Sequence, residues 1–161
     1  MADTLFRIAP LSLQHCQEIC SWKYDPPYDI YNWNSWEKMK KDQEEFADPL
    51  IRQEQYGSVL DRYGLLCGFV QFFPLVDGTR LGLGMRPDLC GQGLGVPFVK
   101  AIVHEAVLRD SRKEIDLEVL VWNERAFNVY SKAGFVVTDQ YVRNTPAGPA
   151  EFYCMVYQPP F

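Results

Sequence analysis

Two stretches of this chain carry residues whose types and spacing suit chemistry on a phosphate-bearing ligand and on a leaving group. The first is Cys90-Gly91-Gln92-Gly93-Leu94-Gly95, preceded by Arg86-Pro87-Asp88-Leu89 and running into an apolar helix pattern. Small residues let backbone N–H groups approach a pyrophosphate, and the positive end of the following helix adds about 0.3–1 kcal/mol for an exposed anion. No Gly-Lys-Ser/Thr ending follows, and Val96 stands where a dinucleotide fingerprint needs its third glycine. A glycine loop without a ligand remains the plain alternative. The second stretch is Asn123, Ala126 and Tyr130, then Gly134-Phe135. The first three lie about one helical turn apart on one face, and a phenol held there can donate a proton. Tyr130 taken alone also reads as a core tyrosine.

Both stretches need elements to hold them. Residues 4–9 alternate as a first strand, ended by Pro10. Residues 11–22 are apolar at Leu13, Cys16, Ile19 and Cys20, a helix with Ser12 as N-cap. Ser35 opens a second helix to about residue 47, which Asp48-Pro49 stops. Residues 58–61 and 65–73 form a hairpin around Arg62-Tyr63-Gly64, and residues 79–85 a short strand. In that strand Leu81, Leu83 and Met85 share one face, Gly82 and Gly84 the other; paired glycines mark close approach of a ligand or another backbone. Residues 93–109 carry the apolar stripe of a helix, residues 114–121 alternate as a strand, and residues 126–132 form a short helix closed by Gly134. Two last strands, 135–143 and 151–158, flank a loop over 144–149. This order is mixed α/β or α+β.

Composition narrows the function. The 161 residues are 47% hydrophobic with a net charge of −5, enough for a sizeable core and unlike a nucleic-acid-binding surface. No signal-peptide pattern opens the chain, no apolar run reaches the length of a membrane span, and the five cysteines are scattered and odd in number. These features predict a reduced, cytoplasmic protein. Cys16 and Cys20 read as packing rather than metal ligands, so no metal is expected. His15 and His104 have no companion residues at a catalytic spacing.

With both stretches in this order, the chain resembles the GNAT superfamily of N-acetyltransferases. That family writes its loop as Gln/Arg-x-x-Gly-x-Gly/Ala, matched by Gly93 and Gly95 with Cys90 in the first place. It writes its second motif as Asn-x-x-Ala-x-x-x-Tyr-x-x-x-Gly-Phe, matched from Asn123 to Phe135. The resemblance implies a central twisted sheet of about six to seven strands flanked by helices, with a V-shaped splay between the strand before the glycine loop and the next. It implies one domain over residues 1–161, with an acetyl-CoA core at 79–135 and acceptor-side helices at 11–49. It implies acetyl-CoA bound by Leu83, Met85, Cys90, Gly91, Gln92, Gly93, Leu94, Gly95, Asn123, Ala126 and Tyr130. The transfer would go directly to an amine, with Tyr130 protonating the thiolate. The proton of the amine falls to Glu118 or to a water, because Leu117-Glu118-Val119 is similar to ribosomal-protein N-terminal acetyltransferases.

The acceptor is not legible at this level. The aromatic segment from Trp22 through Tyr24, Tyr28 and Tyr31 to Trp36 is the expected acceptor wall; it could cage a cationic amine or form a small core of its own. Trp22-Lys23-Tyr24, Pro27-Tyr28 and Tyr31-Asn32 also look like a bacterial-type subfamily of acetyltransferases. Cys90 next to a helix N-terminus has a position where a thiol pKa falls, which leaves a thiolate nucleophile open. A non-catalytic acyl-CoA-binding regulatory module and a nucleotide- or phosphate-binding protein are the rival readings. A homodimer by sheet continuation is possible, with Pro159-Pro160 blunting that edge.

Overall fold

The computed structural model describes residues 5–160. Thr4, expected to open the first strand, and Met1-Ala2-Asp3 lie outside them. Seven strands form one sheet in the order β1-β2-β3-β4-β5-β7-β6. In chain order they are β1 (Phe6–Pro10), β2 (Tyr56–Asp61), β3 (Leu66–Pro74), β4 (Gly78–Met85), β5 (Glu114–Leu120), β6 (Phe135–Thr145) and β7 (Gly148–Tyr157). All neighbours run antiparallel except β4 and β5, which the helix crossover makes parallel. The expected mixed sheet flanked by helices is present.

Five α-helices accompany it: α1 (Leu13–Ser21), α2 (Trp36–Asp42), α3 (Pro49–Gln55), α4 (Gly95–Arg109) and α5 (Glu124–Lys132). On one face, Phe98, Val99 and Ile102 of α4 bury against Val70, Leu81, Leu117 and Met155 of the sheet. On the other, Cys16 and Ile19 of α1, Met39 of α2 and Phe46 bury against Tyr56, Leu60, Leu66 and Phe69 of β2 and β3. Each large side chain so buried stabilises the fold by about 1.5–3 kcal/mol.

Three boundaries differ from expectation. The second helix ends at Asp42, where Gln43 turns left-handed at φ 49°, and Asp48 then starts α3 rather than stopping a helix. The Asp48 carboxylate accepts from Leu50 N at 2.9 Å, and Pro49 sits at the first helical position, where a missing N–H costs nothing. Helix α4 begins at Gly95 because Gly93 has a φ of 77°. The last two strands run almost to Pro146-Ala147, pairing through Thr145↔Gly148, so most of the expected loop is hairpin.

The feature that shapes the site is where β4 and β5 separate. They pair from Gly78↔Glu114 to Leu81↔Leu117 and then part. Beyond that point β4 stays with β3 as far as Gly68↔Met85, and β5 stays with β7 as far as Leu120↔Phe152. A slot opens between residues 82–85 and 118–120.

Candidate active site

The β4 wall of the slot follows from strand alternation. Arg86 N donates to Cys67 O of β3 at 2.8 Å. The polar backbone groups of Met85 and Leu83 therefore turn the other way, into the slot. Their side chains pack on the α4 core. Gly84 has a packing reason: a Cβ there would lie 2.5 Å from the Phe69 ring. A Cβ on Gly82 would make only ordinary contact with Gln71, at 3.7 Å.

Above the slot comes the glycine loop. Gly91 and Gly93 both have φ 77°, a region that L side chains rarely adopt. Side chains of Ser12, Ser35, Asp48 and Asn123 cap α1, α2, α3 and α5, whereas Leu94 at the start of α4 offers no acceptor. The first amides of α4 are thus left for an anion. Gly95 has a different duty, since its Cβ would fall 2.8 Å from Val129 of α5. Gln92 Nε2 donates to Asp88 O at 2.5 Å, which tightens the turn.

Cys90 departs from expectation. It ends a short 3-10 turn five residues before α4 begins, with its Sγ 3.8 Å from Met85 O and 3.7 Å from Arg86 O. Burial pushes its thiol pKa up rather than down, only partly opposed by Arg125.

Helix α5 forms the third side. The Asn123 carboxamide oxygen accepts from Ala126 N at 3.2 Å and caps the helix; its Nδ2 donates to the Tyr31 hydroxyl at 3.0 Å. Tyr130, one turn below Ala126, packs edge-on to Phe135 with ring centroids 6.1 Å apart. Burial, reinforced by the neighbouring Tyr31, raises the Tyr130 phenol above the usual tyrosine range. A phenol in that condition stays protonated and available as a donor.

The aromatic segment divides. Trp22 is buried in the second core, and Trp33 and Trp36 pack against it. Tyr24, Tyr28 and Tyr31 instead line the slot. Tyr24 Oη donates to Met85 O at 2.7 Å, and Tyr31 meets Asn123 on the far wall. Tyr28 stands against Trp122 at 5.7 Å, and the Arg125 guanidinium lies 3.9 Å over its ring. The cation on this aromatic face is the chain's own arginine. Trp22 is thus no part of a cage, and the Tyr28 face is already occupied.

On the opposite sheet face lies a polar cluster. Glu118, the first β5 residue beyond the last β4–β5 pair, accepts from the Tyr141 hydroxyl at 2.5 Å and lies 3.3 Å from Arg143 Nε and 3.8 Å from an Arg80 nitrogen. Arg80 also grips Asp116 with two bonds of 3.0 Å. Alternation along 114–121 put Asp116 and Glu118 on one face, as found. Arg80, Tyr141 and Arg143 were missed, because their nearness depends on strand order.

Among the described residues no group of three or more His, Cys, Asp or Glu could hold a metal ion, and no helix is long and apolar enough to cross a membrane. His15 bonds Ser58 at 2.7 Å. A concavity of about 550 Å³ lies between α4, α5 and the end of β7, lined by Lys100, His104, Lys132 and Tyr157. No glycine-loop or slot residue borders it.

Comparison with known proteins agrees with this geometry. The family described as "Acetyltransferase (GNAT) family" matches residues 17–135. A spermidine N-acetyltransferase from Vibrio cholerae, solved with CoA and spermine, superposes with a TM-score of 0.76 at 15% identity, covering 96% of this chain and 95% of that one. A chimera of that enzyme, "from Vibrio cholerae and hSSAT", gives 0.73 at 16% identity, with 95% of each chain covered. An acetyltransferase (GNAT family) from Bacillus anthracis gives 0.73 at 12% identity, covering 94% of this chain and 93% of that one. At these identities the structures establish the fold alone.

Proposed function

The chain belongs to the GNAT acetyltransferase family, and from that premise we propose that it is an N-acetyltransferase acting on a primary amine of a small molecule or peptide, with acetyl-CoA as co-substrate. The observation that carries this reading is the slot itself: two strands part after Leu81 and Leu117 directly before a glycine loop and an uncapped helix start. Leu83 and Met85 offer backbone groups for the pantetheine arm. Residues 90–95 offer amides for the pyrophosphate, and Asn123 and Ala126 border the arm from α5. The domain is read as residues 1–161, with 79–135 holding acetyl-CoA and 11–49 forming the acceptor side.

Acetyl-CoA supplies an activated acyl group and a thiolate leaving group. Tyr130, held protonated by burial, gives the departing sulfur its proton. The amine approaches from the face that carries Glu118 and attacks directly, both substrates being bound together. The Tyr141 hydroxyl takes one acceptor direction of the Glu118 carboxylate, and the Arg143 and Arg80 guanidiniums pair with it as ions at 3.3 and 3.8 Å. Glu118, directly or through a water held on its carboxylate, takes the proton of the ammonium. Burial of Cys90 and its raised pKa favour this direct route over a thiolate nucleophile.

Calorimetric titration of the purified protein with acetyl-CoA, desulfo-CoA and ATP tests the cofactor side. Binding of both CoA compounds but not ATP is expected, and preference for ATP would overturn the reading. Release of free thiol from acetyl-CoA with an amine panel then tests turnover. A non-catalytic acyl-CoA-binding module would bind and release none.

A further inference from the structure

We infer that the acceptor carries a carboxylate beside its amine, in the manner of an amino acid, and that Arg143 reads it. This rests on the acetyltransferase reading above and names the substrate class of that site.

The β4–β5 slot opens on the sheet face that bears Glu118, and four charged side chains surround the opening: Arg80, Asp116, Glu118 and Arg143. Two are cations and two are anions, so their charges sum to zero. Asp116 is buried and doubly bonded to Arg80. Glu118 is engaged by Tyr141 and both arginines. No anion of this cluster is left over to attract a polyamine, and the Tyr28 ring already carries Arg125.

Arg143 is the group with capacity to spare. Its closest approach to Glu118 is through Nε, at 3.3 Å. Its guanidinium carbon lies over the Phe152 ring, 4.2 Å from the centroid, a contact that restrains the side chain. Its side chain is 48% exposed, and among the described residues its two terminal nitrogens have no hydrogen-bond acceptor. A guanidinium restrained on a ring, with its terminal N–H groups unbonded, suits a carboxylate bidentately. Its position beside the first unpaired residue of β5 sets that carboxylate next to the place where the amine must react. The polyamine named with the Vibrio cholerae enzyme is a substrate of opposite character.

The experiment is steady-state transfer from acetyl-CoA to matched pairs that differ only by the carboxylate: lysine with cadaverine, phenylalanine with phenethylamine, and spermidine as the polycation. The expected result is a kcat/KM about 10–100-fold higher for each carboxylate-bearing member, the range of a charge-assisted hydrogen bond. R143Q should erase that preference mainly through KM, and R143K, which keeps the charge but loses the fork, should restore part of it. Circular dichroism of both variants checks that they fold, and the pair ratio measured within each variant is independent of the amount of active protein. Equal or inverted ratios in the native protein, or a preference untouched by R143Q, would overturn the carboxylate assignment while leaving the acetyltransferase reading in place. Binding of acetyl-CoA with no amine acetylated would overturn both.

Discussion

The Tyr24 hydroxyl donates to the carbonyl of Met85 across 2.7 Å, tying the loop after α1 to the last residue of the strand that borders the slot. That carbonyl belongs to the backbone face expected to meet the pantetheine arm. If the arm donates along the direction that Tyr24 uses, the two compete for that lone pair, and binding gives up the bond of the free protein. Tyr24→Phe should lower stability by about 0.5–1.5 kcal/mol in urea unfolding and tighten acetyl-CoA by roughly 2–10-fold in calorimetry. Weaker binding by the variant would mean that the phenol stays part of the bound-state wall.

Tyr130 gives the clearest catalytic test. Tyr130→Phe should reduce kcat by roughly 10²–10⁴-fold, with calorimetric affinity for acetyl-CoA retained. Burial raises the phenol pKa, so the protonated form persists to higher pH than in a free tyrosine, near 10. The acid's contribution to kcat should then show no alkaline loss below about pH 10. A Tyr130-dependent fall of kcat between pH 7 and 9, absent in the variant, would contradict that assignment.

Gly82 and Gly84 of β4 should behave differently. A Cβ at Gly84 meets the Phe69 ring at 2.5 Å, whereas one at Gly82 meets nothing closer than 3.7 Å. Gly84→Ala is expected to cost about 1–3 kcal/mol of stability by overpacking the second core. Gly82→Ala should be close to neutral in thermal unfolding and instead affect transfer, since its Cβ enters the face from which the amine approaches. Equal thermal shifts for the two variants would refute this distinction.

Cys90 is half-buried and the other four cysteines are buried, with Cys16 and Cys20 pushed up to about 11 by burial. Iodoacetamide should therefore modify Cys90 first. Its raised pKa means little thiolate at neutral pH, so the rate should be slower than that of free cysteine at pH 7 and rise with pH. Bound acetyl-CoA should slow it further. Mass spectrometry of the labelled protein reads both effects, and labelling at pH 7 as fast as free cysteine would show an activated thiol instead.

Much of this protein was legible before any coordinates. The turns at Gly64, Gly91 and Gly93, the Ser12 helix start, the stripe of α4 and the alternation of β4 and β5 all appear where the residues implied. Each depends on backbone sterics and side-chain period within a few residues, which a sequence states directly. The spacing from Asn123 to Phe135 was local in the same sense and carried the family. Where local signals conflicted, reading failed: Asp48-Pro49 serves equally to end one helix or begin another, and only the packing of α3 on β2 and β3 selects the second.

The tertiary structure alone decided which side chains share the site. Tyr24 reaches Met85 from 61 residues away, Asn123 reaches Tyr31 from 92, and Arg80 meets Asp116 across 36. It sent Trp22 to the core and Tyr31 to the slot, set Arg125 on Tyr28, and surrounded Glu118 with three donors. No period or propensity encodes such neighbours. They arise because strand order brings distant segments to one face, and because burial there, as at Cys90, outweighs the field of a nearby helix.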